Sequence, residues 1–109
     1  MSLVNADRLT ATIPSGSTTS NAITLGGRQL VGVYVPGVMS GSGMGFWVGT
    51  NSDDTLVRLC SGGAVYQEWF TSSAYNWFNT EAHIGYNVVR FSATAQHTAQ
   101  LIHPLVRPI

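Results

Sequence analysis

The tightest constraint on this chain lies between Gly27 and Thr50, GRQLVGVYVPGVMSGSGMGFWVGT. Leu30-Val31-Gly32-Val33-Tyr34-Val35 is apolar at both alternating sets of positions and ends at Pro36-Gly37. It is rich in β-branched residues and has no helical spacing. Such a run suits a strand covered on both faces, by a second sheet and by a loop or a neighbouring subunit. Met39 to Gly45 is a Ser/Gly linker that turns the chain round, and Phe46-Trp47-Val48 leads back out. The stretch therefore predicts two strands and a loop, a hairpin at the middle of an all-β domain. Gly32 leaves room for close approach of another backbone. In the return strand Met44, Phe46 and Val48 share one face, and Gly45, Trp47 and Gly49 share the other. Trp47 between two glycines reads as a cover over missing side chains or as a ligand platform.

The rest of the chain repeats the pattern of short apolar runs and turn residues. Leu9 to Ile13 alternates apolar and polar, and Pro14-Ser15-Gly16-Ser17 ends it. Ala22, Ile23 and Leu25 begin a short strand that Gly26-Gly27 breaks. Thr55 to Cys60 and Ala64 to Phe70 read as strands on either side of Ser61-Gly62-Gly63. Asn51-Ser52-Asp53-Asp54 reads as a turn, and Ile84 to Thr94 alternates again. Leu101 to Ile109 is a last strand cut by Pro104, which cannot donate to a ladder and so predicts an edge position or an exit from the domain. The spacing gives about seven or eight strands with turns every ~8–12 residues, the signature of a sandwich or barrel. We expect a single-domain antiparallel β-sandwich over residues 9–103, an N-terminal arm at 1–8 and a C-terminal tail at 104–109.

The chain has 109 residues, enough for one core, and is 44% hydrophobic but only 9% charged. Around 25% charged is usual. It contains five Arg, no Lys and a net charge of zero, which gives no indication of nucleic acid or an anionic membrane as partner. A surface so poor in charge is weakly protected against association, and Ser, Thr, Asn and Gln supply its alternative polar covering. The start of the chain lacks the basic and apolar regions of a signal peptide, and no run approaches ~18 apolar residues. Synthesis in a cytoplasm is the expectation.

No catalytic signature emerges. The single cysteine, Cys60, reads as a small buried apolar residue. His83, His97 and His103 have no metal-ligand spacing and read as unrelated loop and edge residues. Asp53-Asp54 reads as turn chemistry, since calcium would want several more oxygens. The glycines at 41, 43 and 45 precede neither Lys nor a helix and make no phosphate loop. We expect no enzyme activity, cofactor or metal. The one feature above background is the cluster of rings at Tyr66, Trp69, Phe70, Tyr75, Trp77, Phe78 and Tyr86. Three readings stay open: core, protein interface, or a carbohydrate site built from Tyr75, Asn76 and Trp77.

Ala11-Thr12-Ile13-Pro14-Ser15-Gly16-Ser17-Thr18-Thr19-Ser20-Asn21-Ala22-Ile23-Thr24-Leu25-Gly26-Gly27 is followed by Leu30 to Pro36, by Phe46-Trp47-Val48-Gly49 and by Val88-Val89-Arg90-Phe91-Ser92. This order resembles a group of small tailed-phage proteins encoded among virion genes, over roughly residues 9–95. The resemblance implies a non-enzymatic virion structural protein, most specifically a head decoration (cement) protein with a jelly-roll-like sandwich. It further implies the major capsid protein as partner, self-association with a trimer favoured, and a location in the virion after synthesis in the host cytoplasm. The family's pattern carries no binding residues over. The residues we single out as candidate contacts are Met39, Met44, Tyr75, Trp77, Phe78 and Arg107. The Met39–Gly45 loop is expected to be shaped by assembly, so that Met39→Asp would spare the fold whereas Val33→Asp would abolish it. The competing readings are a carbohydrate- or receptor-binding module and a tail, baseplate or fibre component.

Overall fold

The computed structural model describes residues 7–51 and 55–108. The expectations for residues 1–6, for Ser52-Asp53-Asp54 and for Ile109 lie outside the described residues. The strands are β1 (Asp7–Arg8), β2 (Ala11–Ile13), β3 (Ile23–Thr24), β4 (Gln29–Val35), β5 (Gly43–Gly49), β6 (Val57–Arg58), β7 (Cys60–Ser61), β8 (Ala64–Val65), β9 (Gln67–Trp69), β10 (Ala74–Trp77), β11 (Val88–Ser92) and β12 (Gln100–Arg107). A 3-10 helix spans Thr80–His83. All pairings between these strands are antiparallel.

Two sheets pack face to face as a β-sandwich. The first has the order β1-β12-β4-β10, with β2 also on β12; the second has β3-β11-β5-β6, with β9 also on β5. The expected central hairpin is not formed. β4 and β5 are both strands, but each lies in a different sheet, and the segment between them crosses from one layer to the other. That crossing decides the fate of Met39. A loop over the open edge of a sandwich faces the gap between the sheets, and the Met39 side chain fills it, joining the core at 4% exposure. Its backbone is held by Ser72, whose Oγ accepts from the Met39 N–H at 2.9 Å. Next to it, the buried Gln96 amide accepts from the Ser40 N–H at 2.9 Å and donates to the Ser40 carbonyl at 3.1 Å. The loop is thus fixed by its own chain.

Between the sheets lie Leu30, Val33 and Val35 of β4, Met44, Phe46 and Val48 of β5, Val89 and Phe91 of β11, and Ile102 and Val106 of β12. Strict alternation cannot place both Leu30 and Val33 inward. The register does so: Leu105 faces Gly32 while Val106 faces Leu30, so Val31 is an extra residue, a bulge that reverses the alternation. Phe46 is the centre of the aromatic packing, with edge-on contacts to Phe78 at 5.5 Å and Phe91 at 5.8 Å between ring centroids.

Three further expectations are corrected. Residues 104–107 are not a tail: they belong to β12, which pairs with β4 on one side and with β1 and β2 on the other. Pro104 is tolerated there because of where its missing N–H points. Its carbonyl accepts from the Leu9 N–H at 2.8 Å, and a residue's N–H and C=O face the same neighbour in an antiparallel ladder. The absent donor therefore falls at the Leu9–Thr10 break between β1 and β2. Likewise Asp7 and Arg8 are no free arm, since they pair with Val106 and Leu105. Finally, Cys60 is exposed rather than buried, because it sits in the β7–β8 hairpin. Gly62 and Gly63 turn that hairpin with φ of 62° and 83°, as a two-residue turn of this kind requires.

Candidate functional site

β10 is the outer strand of the first sheet, paired with β4 alone among the described residues. Its alternation sends Tyr75 and Trp77 outward, and they are 56% and 67% exposed. Cross-strand register places Tyr75 beside Tyr34 and Tyr34 beside His103. Tyr34 and Tyr75 stack at 4.3 Å between centroids, and Tyr34 and His103 at 5.8 Å, with interplanar angles of 16° and 17°. Three rings thus form a row across β12, β4 and β10. The Arg8 guanidinium lies over the Tyr34 ring at 5.4 Å, which adds a cation–π contact. His103 is fixed from behind, its Nδ1 3.0 Å from the Leu9 carbonyl. In the next row Trp77 is separated from Leu105 by Gly32.

This surface joins only two of the six candidate contacts. Met39, Met44 and Phe78 are core residues at 4%, 0% and 6% exposure, so their side chains are not available to a partner. Met44 and Phe78 point inward by strand alternation, and Met39 because its loop bridges the layers. Arg107 is exposed but stands at the end of β12. The carbohydrate site expected from Tyr75, Asn76 and Trp77 loses its polar member. Asn76 Oδ1 accepts from the Thr71 N–H at 2.7 Å, and Nδ2 donates to the Thr71 and Ala74 carbonyls, each at 3.1 Å. The amide serves to close the turn before β10. Tyr34 and His103, by contrast, are not among the candidate contacts. The signal was present, since Tyr34 alternates with Val33 and Val35, but a run that is apolar at every position hides which face is outer.

His83 is the other group whose environment the sequence does not reveal. It is 1% exposed and packs against Phe46 at 4.7 Å and Phe78 at 5.2 Å between centroids. Its Nδ1 is 2.5 Å from the Tyr86 hydroxyl and its Nε2 3.2 Å from Glu68 Oε2. The same carboxylate oxygen accepts from the Tyr66 hydroxyl and from the Asn79 N–H. Both imidazole nitrogens are thus engaged inside an aromatic enclosure. A neutral ring fits: Nε2–H donates to Glu68 and Nδ1 accepts from Tyr86. The arrangement satisfies buried polar groups and closes one end of the sandwich.

Burial pushes the His83 pKa below its usual 6.5, against the opposing pull of Glu68. A depressed folded-state pKa means that the unfolded chain binds the proton more readily. The stabilising contribution is therefore full above pH 6.5 and lost as pH falls below it. Burial, reinforced by Glu68, pushes the Tyr66 phenol up to about 12, and the Tyr86 phenol is raised further. Their contribution is present below the ordinary value of 10.0 and lost as pH rises above it. We predict a thermal midpoint that is flat near neutrality, falls as the pH drops below 6.5, and falls again above pH 10. His83→Asn should remove the first fall, measured by calorimetry against pH.

Comparison with protein-family models, with curated proteins and with solved structures finds no match.

Proposed function

We propose that the protein is a non-catalytic structural component of a tailed-phage virion, a decoration protein that packs on the head and bridges capsid subunits. The observation that carries this reading is the exposed aromatic surface on an edge strand, Tyr75 and Trp77 beside the stacked Tyr34 row. Tyr, Trp and Arg are the usual anchors of protein contacts, and here all three types meet on a rigid sheet. The side of β10 that is unpaired among the described residues offers backbone groups to a neighbouring strand, a second means of attachment. A chain with 9% charged residues loses little on desolvating such a surface. The resemblance of residues 9–95 to phage virion proteins points the same way. So does the strand order: consecutive long strands alternate between the sheets, as in a jelly roll.

The partners in this reading are the major capsid protein and further copies of the chain, with a trimer favoured. Labelling purified virions of the encoding phage with an antibody to this protein tests the location by electron microscopy. Label repeated over the head is the expected result. Label confined to the tail, or no label on virions, would overturn the assignment.

A further inference from the structure

The opposite face of the sandwich carries a different site. Across the outer side of the second sheet, register sets Trp69 beside Gly43, Gln67 and Ser92 on either side of Gly45, and Arg58 and Arg90 on either side of Trp47. The two glycines leave a trough in an otherwise side-chain-covered surface. It has a volume of about 590 Å³, and Trp47, Trp69, Arg58, Gln67 and Ser92 form its walls. A Cβ at Gly45 would stand 2.8 Å from Ser92 Oγ, and one at Gly43 would stand 3.3 Å from the Trp69 ring. Any larger residue at either position would fill the trough. Trp69 is 73% exposed and leans on Gly43, so an indole face is held ready toward solvent.

The polar groups are equally prepared. The Arg58 guanidinium lies 5.0 Å from the centre of the Trp47 ring, and its Nη1 donates to Ser92 Oγ at 3.3 Å. These contacts fix its position and, among the described residues, leave most of its donors open. The Gln67 amide has no hydrogen-bond partner among the described residues. Among the described residues no carboxylate lines the trough, and Arg90 lines the adjoining depression beyond Trp47.

We propose that this trough binds an acidic saccharide, a pyranose ring bearing a carboxylate. The C–H face of the ring lies on Trp69, its hydroxyls bond to Gln67 and Ser92, and its carboxylate pairs with the Arg58 fork. A mixed wall of flat rings and convergent polar groups suits a molecule with one apolar face and a polar rim. Arg58 in the trough and Arg90 beside it favour the anionic form. This proposal does not depend on the assembly reading, because it uses the other face of the sandwich.

The test is a titration of the protein, followed by the indole N–H signals in NMR, with oligomers of a hexuronic acid and of the matching neutral hexose. The uronate oligomer should shift the Trp69 and Trp47 signals. Trp69→Ala should weaken its binding by at least about tenfold, and Arg58→Gln should erase the preference for the acidic over the neutral oligomer. Trp69 is largely exposed, so its replacement leaves the fold intact, which circular dichroism confirms on the same sample. No indole shift with either sugar at millimolar concentration would overturn the proposal. Equal binding of both sugars, or binding indifferent to Trp69→Ala, would do so as well.

Discussion

Met39→Asp is expected to unfold the protein at moderate temperature. The side chain is 4% exposed and lies in the core, where the loop from β4 to β5 crosses between the sheets. Removing a buried methionine side chain costs about 2–5 kcal/mol, and a carboxyl group placed in the gap adds a desolvation cost of its own. Swinging the loop outward would relieve that cost only by breaking the bonds to Ser72 and Gln96. We expect a total loss of about 5 kcal/mol, comparable with the whole stability of a small domain. Met39→Leu, which keeps volume and polarity, should lose less than about 1.5 kcal/mol. Urea denaturation of the pair measures both. The residue therefore behaves like Val33, which is 0% exposed and whose replacement by Asp is expected to abolish folding.

Gly32→Ala is the second large effect, and its cause is space rather than backbone conformation. A Cβ at this position would come within 3.0 Å of the Asn76 carbonyl oxygen and stand 3.3 Å from Trp77 Cα. Both are backbone atoms and cannot rotate away. β10 would have to leave its register on β4, taking Tyr75 and Trp77 with it and disturbing Phe78 in the core. We expect a loss of about 3 kcal/mol, a drop of roughly 12–20 °C in the thermal midpoint. Hydrogen exchange should show the amides of Ala74–Trp77 losing protection first.

These two positions show what the sequence reveals and what it hides. Gly32 sits in a strand whose other residues are all large, which already indicates a close backbone approach. Met39 sits among Ser and Gly, and such a linker reads as exposed unless the crossing between sheets is known. Pro104 reads as a strand terminator, yet it lies in an interior strand because the neighbouring ladder is interrupted where its donor is missing. The bulge at Val31 leaves no mark in a run that is apolar throughout. Glu68 and His83 are 15 residues apart and show no motif, so only the fold brings them to 3.2 Å. Strand content and the two-layer architecture follow from local alternation and turn residues. Which strand joins which sheet is a long-range property, and the functional surfaces depend on it. Trp69, Tyr75 and Trp77 are near neighbours in the chain, yet the first faces outward from one sheet and the other two from the opposite one.

The central claim is that the Tyr75–Trp77 face is an interface in an assembly. The most direct measurement is the solution mass by light scattering of the wild-type chain and of a Tyr75→Ser/Trp77→Ser double variant. Loss of two aromatic anchors should weaken association by more than about thirtyfold while leaving circular dichroism unchanged. The account predicts a wild-type mass of three times the 11.7 kDa chain and a single-chain mass for the variant. A wild-type protein that stays at 11.7 kDa at every concentration, or a double variant that keeps the oligomer mass, would contradict it.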